Sequence, residues 1–582
     1  MDHTDIEQLI RKVALENAIR YGGTARVKSV IGKVLAARPE LRERIGELLH
    51  VFETILNDVN GLSRSEQKDI LCNMPEMYPV KSIDRTKPGE KKLPPLPNVE
   101  KYPLVRVRFC PNPDGALHLG GARAAILCDE YARMYNGRFI LRFDDSDPRT
   151  KSPIPEAYDW IINDLDWLGV RWHSKVYQSD RLEVYYGYTR KLIEIGVAYI
   201  CTCRPRVFRQ LISTRRACPC RTLPPNEHLT RWRMMLGGSL GVGEAVVRIK
   251  TDLDHPNPAV RDWPALRIID PDKFPHPRTG DRYRVWPLFA FCCGIDDHEL
   301  GISHIIRGKE HLTNTVRQLF LFDYLGWDYP EAIHYGRLKI TGSELSKSKI
   351  RIGIAKGIYT GWDDPRLGTL TALRKRGFLP DTVRRLILEI GPKPVDATIS
   401  WDNIQASNRK LLDPLTDRYF FVAHPIKLTI RGVDRPFVSE LPLHPGDPTR
   451  GNRTVELKPK ARSITLAISK RDLGLFEPGK IVRLMGLFNV MIKRVIGQVQ
   501  ADYHSAGYME AKQIAAPLIH WIPYNTGVET SVVMPDASVL CGHAEDSCRQ
   551  LEPNAIVQFE RFGFVRVENI TAEALFVYYT HR

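Results

Sequence analysis

The sequence predicts a multidomain α/β fold with a helical segment in front and a β region behind. Three changes of rhythm carry that prediction. Apolar residues recur at helical spacing in DIEQLIRKVALENAIRYG and RERIGELLHVFETILNDV. At Leu104-Val105-Arg106-Val107-Arg108-Phe109 the pattern changes to strand-like alternation. Beyond about residue 415, IKLTIRGV, RSITLAISK, KIVRLMGLFNVMIKRVIG and AIVQFERFGFVRVEN follow one another between Gly, Pro and Asp. A chain of 582 residues is also too long for a single core.

Taken in order, residues 1–86 read as a small appended helical domain. Residues 87–99 read as a linker, since the prolines of KPGEKKLPPLPN cannot continue a helix and its charges keep it solvated. The first strand then runs into the turn PNPDG and a helix with Leu127, Tyr131 and Met134 on one side, stopping at Gly137. A second strand, Phe139 to Phe143, completes a β-α-β unit, which calls for a parallel sheet. The α/β region is expected in two halves, 100–200 and 286–345, split by an Arg-, Pro- and Cys-rich insertion at 201–285. A helical connection at 346–412 and a β region at 413–582, long enough for two antiparallel barrels, complete the chain.

Composition narrows the partners. With 43% apolar and 26% charged residues the chain is neither disordered nor fibrous, and its formal charge of +16 makes a polyanion a natural ligand. No apolar run is long enough to span a bilayer, and the start MDHTDIEQLIRK lacks the apolar core of a signal peptide. The expectation is a cytoplasmic protein with no membrane partner. Eleven cysteines in so long a chain do not make a disulfide framework. Cys201-Thr202-Cys203 and Cys218-Pro219-Cys220 instead form two C-x-C pairs, whose four thiolates can close a structural Zn2+ shell. Arg204, Arg206, Arg209, Arg215, Arg216 and Arg221 surround them, as phosphate neutralisation would require.

Two loops carry the chemistry. Pro111 to Arg123 (PNPDGALHLGGAR) lies between a strand and a helix, where free backbone N–H groups and the helix dipole attract phosphate. His118 can donate a hydrogen bond to a phosphate oxygen there. Far downstream, Glu344-Leu345-Ser346-Lys347-Ser348-Lys349 places a lysine where it can meet the charge that builds up on a departing pyrophosphate.

The pair resembles the HIGH and KMSKS signatures of class I aminoacyl-tRNA synthetases. RFCPNPDGALHLGGARAA, LRFDDSDP, DLDWLGV, HYGRLKITGSELSKSK and GWDDPRLGTLTALRKRG are similar to the glutamyl/glutaminyl branch, closest to its archaeal glutamyl members. The likeness runs from about residue 100 to the end, taking in IHW and VQFER. Gly121 replaces the last histidine of the first signature and Glu344-Leu345 replace Lys-Met of the second, while Lys347 is kept.

The resemblance implies a Rossmann-like catalytic domain with an inserted subdomain for the tRNA acceptor end, and C-terminal β-barrels that bind the anticodon. It implies ATP-dependent ligation of L-glutamate to the 3′ end of tRNA(Glu) through a glutamyl-adenylate, with Mg2+ on the ATP and tRNA often needed for activation. His118 and Lys347 are then the expected catalytic residues. Asn112, Pro113, Asp114, Gly120, Gly121, Leu338, Leu345 and Ser346 join them as the expected ATP contacts. For the amino acid, the similarity points to Arg108 at the side chain, Asp144 at the α-ammonium, Phe289 where relatives carry a wall tyrosine, and Arg307 facing the γ-carboxylate. The basic segment Arg366 to Arg385 is expected to hold tRNA. The glutamine tRNA stands as a second candidate partner, and a monomer is expected. Two other readings stand beside this one: a glutaminyl-tRNA synthetase, and a nucleotidyltransferase without a tRNA substrate.

Overall fold

The computed structural model describes residues 3–20, 24–25, 27, 30–31, 34–35, 41, 45–63, 66–67, 70–71, 93–495 and 498–582. The end of the expected helical domain, 72–86, and the first half of the expected linker, 87–92, lie outside the described residues. Two compact units divide the chain, Met1–Glu90 and Lys91–Arg582. In the first, α1 (His3–Arg20) and α2 (Ile45–Gly61) bury Leu9, Ile10 and Val13 against Phe52, Leu56 and Val59. That is the apolar stripe the helical spacing requires.

The second half of the expected linker is not a free tether. Leu93 and Leu96 are buried in the α/β core, the Tyr131 hydroxyl donates to Pro94 O (3.0 Å), and Leu96 N donates to the Tyr135 hydroxyl (2.8 Å). The prolines keep this stretch extended, and the leucines between them give it an apolar side to bury.

The α/β region opens with β1 (Arg106–Phe109), α3 (Leu119–Met134), β2 (Arg138–Phe143), α4 (Pro155–Trp167) and β3 (Ser174–Tyr177), its three strands parallel. After α5 (Leu182–Glu194) an antiparallel four-stranded sheet interrupts the pattern: β4 (Ala198–Cys201), β5 (Val246–Ile249), β6 (Pro264–Ile268) and β7 (Val285–Pro287). Between β4 and β5 lie α6 (Pro205–Ser213) and α7 (Pro225–Gly237). Parallel order resumes with α8 (Phe289–Glu299), β8 (His304–Gly308), α9 (Leu312–Leu325) and β9 (Glu331–Tyr335). Ser303 N donates to Arg106 O (3.0 Å) and Arg106 N to Ser303 Oγ (2.7 Å), which sets β8 along the free edge of β1. The two ladders, β1-β2-β3 and β8-β9, thus lie side by side in the spatial order β3-β2-β1-β8-β9, and the winding reverses between β1 and β8.

Two local expectations change. Met134 is 47% exposed, so only Leu127 and Tyr131 of the proposed stripe face the core. The helix stop is Asn136, which takes the left-handed conformation (φ 47°). Gly137 has a different duty: a Cβ there would lie 2.4 Å from Val105 O.

Downstream, β10 (Leu338–Ile340) and α10 (Lys347–Ala355) carry the second lysine loop, and α11 (Leu370–Lys375), α12 (Pro380–Ile390) and α13 (Trp401–Leu412) follow. The segment Arg366 to Arg385 is thus two short helices, and several of its cations are spent inside the fold. Arg366 binds Asp364, Arg376 is 2% exposed and donates to Thr580 O, and Arg384 pairs with Asp129 and Glu130.

The C-terminal region forms two curled seven-stranded sheets. They are not purely antiparallel as expected: Pro425–Arg431 runs parallel to Val499–Ser505, and Val528–Val533 to Ala574–His581. Each sheet curls because its two edges are halves of one broken strand. Arg418–Tyr419 and Phe421–Ala423 flank Phe420 in one sheet, and Leu518–Ile519 and Ile522–Pro523 flank His520 and Trp521 in the other. The breaks are stitched together: Phe420 is buried in the core of the second sheet, and His520 Nε2 donates to Phe421 O (2.6 Å). No helix among the described residues is long and apolar enough to cross a membrane.

Replacing Gly137 with alanine should lower stability by about 1–3 kcal/mol, because the new methyl meets a backbone oxygen that cannot swing aside. The midpoint of urea unfolding reads this directly; an unchanged midpoint would show that the strand can yield at Val105.

Candidate active site

In an open parallel sheet, ligands sit beyond the carboxyl ends of the strands where the winding reverses. Here that place is the end of β1 and β8, and it holds a cleft of about 250 Å3. Arg108, His118, Gly120, Gly121, Asp144, Phe289, Arg307 and Lys347 all line it, although they come from segments up to 239 residues apart. Asn112, Pro113, Asp114, Leu338, Leu345 and Ser346 are not among the lining residues.

His118 is the N-cap of α3, and its Nδ1 accepts from Gly121 N (3.3 Å). An accepting Nδ1 places the proton of the neutral ring on Nε2, which is left as a donor. Burial, reinforced by the Lys347 charge, holds this imidazole down at about 4, so it is neutral at physiological pH. Gly120 has no room for a side chain, since a Cβ would lie 3.0 Å from the His118 ring, whereas at Gly121 the nearest atom is 3.4 Å away. A side chain would therefore fit at 121, and space does not demand the glycine that stands where the signature has histidine.

Lys347 joins the two loops. Its Nζ donates to Asn112 O (2.8 Å) and Asp114 Oδ1 (3.0 Å). Asn112 and Asp114 therefore act on the lysine from beside the cleft. Leu338 lies on β10, Leu345 packs against Gly368, and Ser346 is the exposed N-cap of α10. A strap, residues 361–370, fills the space between the loops. Leu370 N donates to Leu117 O (2.9 Å), Leu119 N donates to Gly368 O (3.2 Å), and a Cβ on Gly368 would lie 2.6 Å from Leu345.

Below the cleft lies a buried set of ion pairs that the sequence reading did not assign. Asp297 Oδ1 accepts from Arg108 Nε and Arg142 Nη1 (both 3.0 Å), and its Oδ2 from Arg108 Nη2 (3.3 Å). Arg142 Nε also donates to Asp144 Oδ1 (2.8 Å), and Arg181 Nε to Asp296 Oδ1 (2.7 Å). Three arginines here meet three aspartates. The signal available in the sequence was a second arginine inside an apolar strand, RFILRF, and two adjacent acids in the apolar helix FAFCCGIDDHE.

Arg307 stands outside this balance. It is 6% exposed, and its Nη2 donates only to neutral oxygens: Thr315 Oγ1 (2.6 Å), Gln318 Oε1 (2.9 Å) and the Tyr329 hydroxyl (3.0 Å). Its Nε and Nη1 are buried without a hydrogen-bond partner. Nearby, Phe289 stacks on His311 with ring centroids 4.8 Å apart. Burial, then the charges of Arg307 and Arg108, hold His311 down at about 3 and His334 at about 4. Glu310 also lines the cleft, and Asp297 acts on Arg307 through its charge, but among the described residues no carboxylate forms an ion pair with Arg307.

In the insertion, the Sγ atoms of Cys201, Cys203, Cys218 and Cys220 all lie within 4.8 Å of one another. Cys201 and Cys218 are 3.9 Å apart, and Cys203 and Cys220 3.8 Å. A tetrahedral Zn–S shell with bonds of about 2.3 Å has edges of about 3.8 Å, so the four thiols fit zinc. Arg204, Arg206, Arg209, Arg215 and Arg216 are exposed around them. Arg221 differs: its Nε binds the buried Asp262 (3.0 Å), which makes it part of the packing.

His118, His311 and His334 are all held below the ordinary value of 6.5. The unfolded chain therefore binds these protons first, and stability should fall as pH drops from about 6.5 toward 4. Histidine hydrogen–deuterium exchange should show no inflection for the three rings between about pH 5.5 and 8. An inflection near 6.5 at any of them would mean that the ring is not kept neutral.

Comparison with known proteins agrees with this layout. Residues 104–414 match the family described as tRNA synthetases class I (E and Q), catalytic domain, and residues 416–507 and 518–568 match the two anti-codon binding domains of the same family. The glutamate–tRNA ligase of Pyrococcus furiosus is 51% identical over 99% of this chain and 100% of its own length. Those of Pyrococcus abyssi and Methanopyrus kandleri are 50% and 45% identical, covering 99% and 100% of this chain and 100% of their own lengths. Among solved structures, a glutamate tRNA ligase from Elizabethkingia meningosepticum in complex with its amino acid is 22% identical, covering 54% of this chain and 70% of its own, with a TM-score of 0.40. The chain belongs to the class I aminoacyl-tRNA synthetases of the glutamyl/glutaminyl branch, among the archaeal-type glutamate–tRNA ligases.

Proposed function

We propose that the cleft holds ATP and L-glutamate side by side for the ATP-dependent ligation of glutamate to the 3′ end of tRNA(Glu), with Arg307 reading the γ-carboxylate. The observation that carries the assignment is the buried Arg307 guanidinium, which has two unpartnered nitrogens and no counter-ion. Glutamate carries one net negative charge at neutral pH and glutamine carries none. A buried guanidinium that makes no ion pair among the described residues favours the first ligand over the second, because only glutamate brings a carboxylate to it.

In the first step an oxygen of the glutamate α-carboxylate attacks the α-phosphorus, and the bond to pyrophosphate breaks. His118 Nε2–H and the N-terminal amides of α3 would hold phosphate oxygens, and Lys347 would leave Asp114 to meet the charge on the departing pyrophosphate. Asp144 would face the α-ammonium, and Arg108, held by Asp297, would orient the side chain. Phe289 would supply a flat wall beside them. Mg2+ on the ATP would neutralise part of its charge. A ribose hydroxyl of the terminal tRNA nucleotide then attacks the activated carbonyl and releases AMP. No protein nucleophile is needed, because the rate comes from positioning and charge.

The curled C-terminal sheets would hold the anticodon arm, and the exposed arginines of the insertion the acceptor end. We place the enzyme in the cytoplasm as a monomer, with tRNA(Gln) as a second substrate to be tested beside tRNA(Glu). The four cysteines would hold one Zn2+ in a closed shell whose chemistry is structural.

Arg307→Cys should weaken glutamate by about one to two orders of magnitude, the worth of a charge-assisted bond of about 1.5–3 kcal/mol. Glutamine should lose little, so the ratio of the two kcat/KM values should fall. Amino-acid activation with tRNA present, each amino acid varied separately, measures this; an equal loss for both would make Arg307 a packing residue. Arg108→Ala, by contrast, should weaken both. Zinc should co-purify at about one atom per chain and be lost from the Cys203→Ser/Cys218→Ser double variant. Metal analysis finding no zinc in protein prepared without chelator would remove the metal from the insertion.

A further inference from the structure

A second cleft, about 590 Å3, opens on the far side of the strap, between the catalytic region and the last curled sheet. The indoles of Trp160 on α4 and Trp362 on the strap line it side by side, with centroids 6.5 Å apart and planes tilted by 48°, a V of aromatic surface. Trp362 is held from behind. Its carbonyl accepts from Thr369 Oγ1 (2.6 Å) and Thr371 Oγ1 (3.1 Å), and its ring lies on the phosphate loop so closely that a Cβ on Gly115 would be 2.3 Å from it.

The charges opposite the indoles are uneven. Lys375 pairs with Asp363 (2.6 Å), and Arg566 pairs with Glu568. Arg374, half-buried in the same wall, has no side-chain hydrogen bond or ion pair among the described residues. The charge of Arg374 acts on the buried Asp164 beyond it, but no hydrogen bond joins the two, so the guanidinium keeps its donors. Arg374 thus keeps its hydrogen-bond donors free beside the aromatic V, while the two other cations of the wall are paired. Two aromatic faces and one uncommitted guanidinium are what an unstacked nucleotide needs: a surface for its base and a partner for its phosphate.

We propose that this cleft takes one unpaired nucleotide of the bound tRNA, its base against Trp160 and Trp362 and its phosphate on Arg374. The proposal rests on the tRNA substrate assigned above and adds a contact site to it. The occupant is a nucleotide within the tRNA because the cleft lies between the catalytic region and the second anticodon-binding match, 518–568, on the way from one end of that substrate to the other.

The test is binding of a tRNA(Glu) transcript to the whole enzyme, read by filter retention across a salt series. Trp160→Ala should weaken binding about 5- to 150-fold, the range of one lost base stack of about 1–3 kcal/mol. Trp160→Phe should restore most of it, which a folding defect would not allow. Arg374→Ala should reduce the slope of log affinity against log salt by about one phosphate. Wild-type affinity in both alanine variants, with tRNA still bound, overturns the nucleotide site and leaves the tRNA assignment standing. Failure of the wild-type enzyme to bind tRNA(Glu) overturns both. Quenching of tryptophan fluorescence by AMP alone, absent in Trp160→Ala and as tight as quenching by tRNA, would make the cleft a free-nucleotide site and overturn the proposal.

Discussion

The carboxylate of Asp297 is the point on which the active site hangs. It accepts from Arg108 on β1 and Arg142 on β2 and comes itself from α8, the helix that leads into β8. One group thereby ties together the three segments whose ends frame the cleft. Burying an arginine or an aspartate alone costs several kcal/mol, and only near-complete pairing makes it tolerable. Removing Asp297 would leave the buried Arg108 uncompensated and Arg142 dependent on Asp144, so the register of β1, the pose of Arg108 and the floor of the cleft stand or fall together. The packing that surrounds it, with Val107, Phe139, Leu141 and Ile306 in one core, is permissive by comparison.

A second constraint is steric. The two signature loops are brought together by a strap with no catalytic chemistry of its own, and the close approaches are made where a side chain is missing. Gly115 lies under Trp362, Gly120 under His118, and Gly368 under Leu345. The glycines of the first loop thus serve the neighbours that pack on them as well as the phosphates proposed to bind there. Lys347 completes the joint: bound to Asn112 O and Asp114, it closes the second loop on the first.

Much of this was legible in the sequence because it is local. The period-2 run at β1, the PNPDG turn and the following helix are dictated by nearest neighbours, and the C-x-C pairs are close enough in sequence to announce a shared ligand set. What could not be read was pairing over long range. Nothing in the text says that Arg108 will meet Asp297, that Arg384 will be spent on Asp129, or that Arg221 will bind Asp262. Counting basic residues overstated the cations free for tRNA in Arg366 to Arg385 for this reason. The broken strands at Phe420 and at His520-Trp521 were likewise hidden, since a strand that serves two edges of one sheet looks in sequence like a single short strand.

On the proposed role of Arg307, its unmet donors are a cost carried for selectivity. A buried donor left unmade costs about 1–3 kcal/mol, and Arg307 has two such nitrogens. The fold could have relieved this with an acidic neighbour, as it does for Arg108, Arg142 and Arg181. An internal carboxylate would have stabilised the protein and cancelled the charge that an anionic side chain can use. Left unpaired, the guanidinium returns its desolvation penalty only to a ligand that brings a carboxylate to it. A glutamine amide could offer an oxygen, but the hydrogen bond would lack the opposite charge, and the guanidinium would stay without an ion pair. On the proposed role of Arg307, discrimination between two nearly isosteric side chains would follow from what the protein leaves unsatisfied as much as from what it contacts.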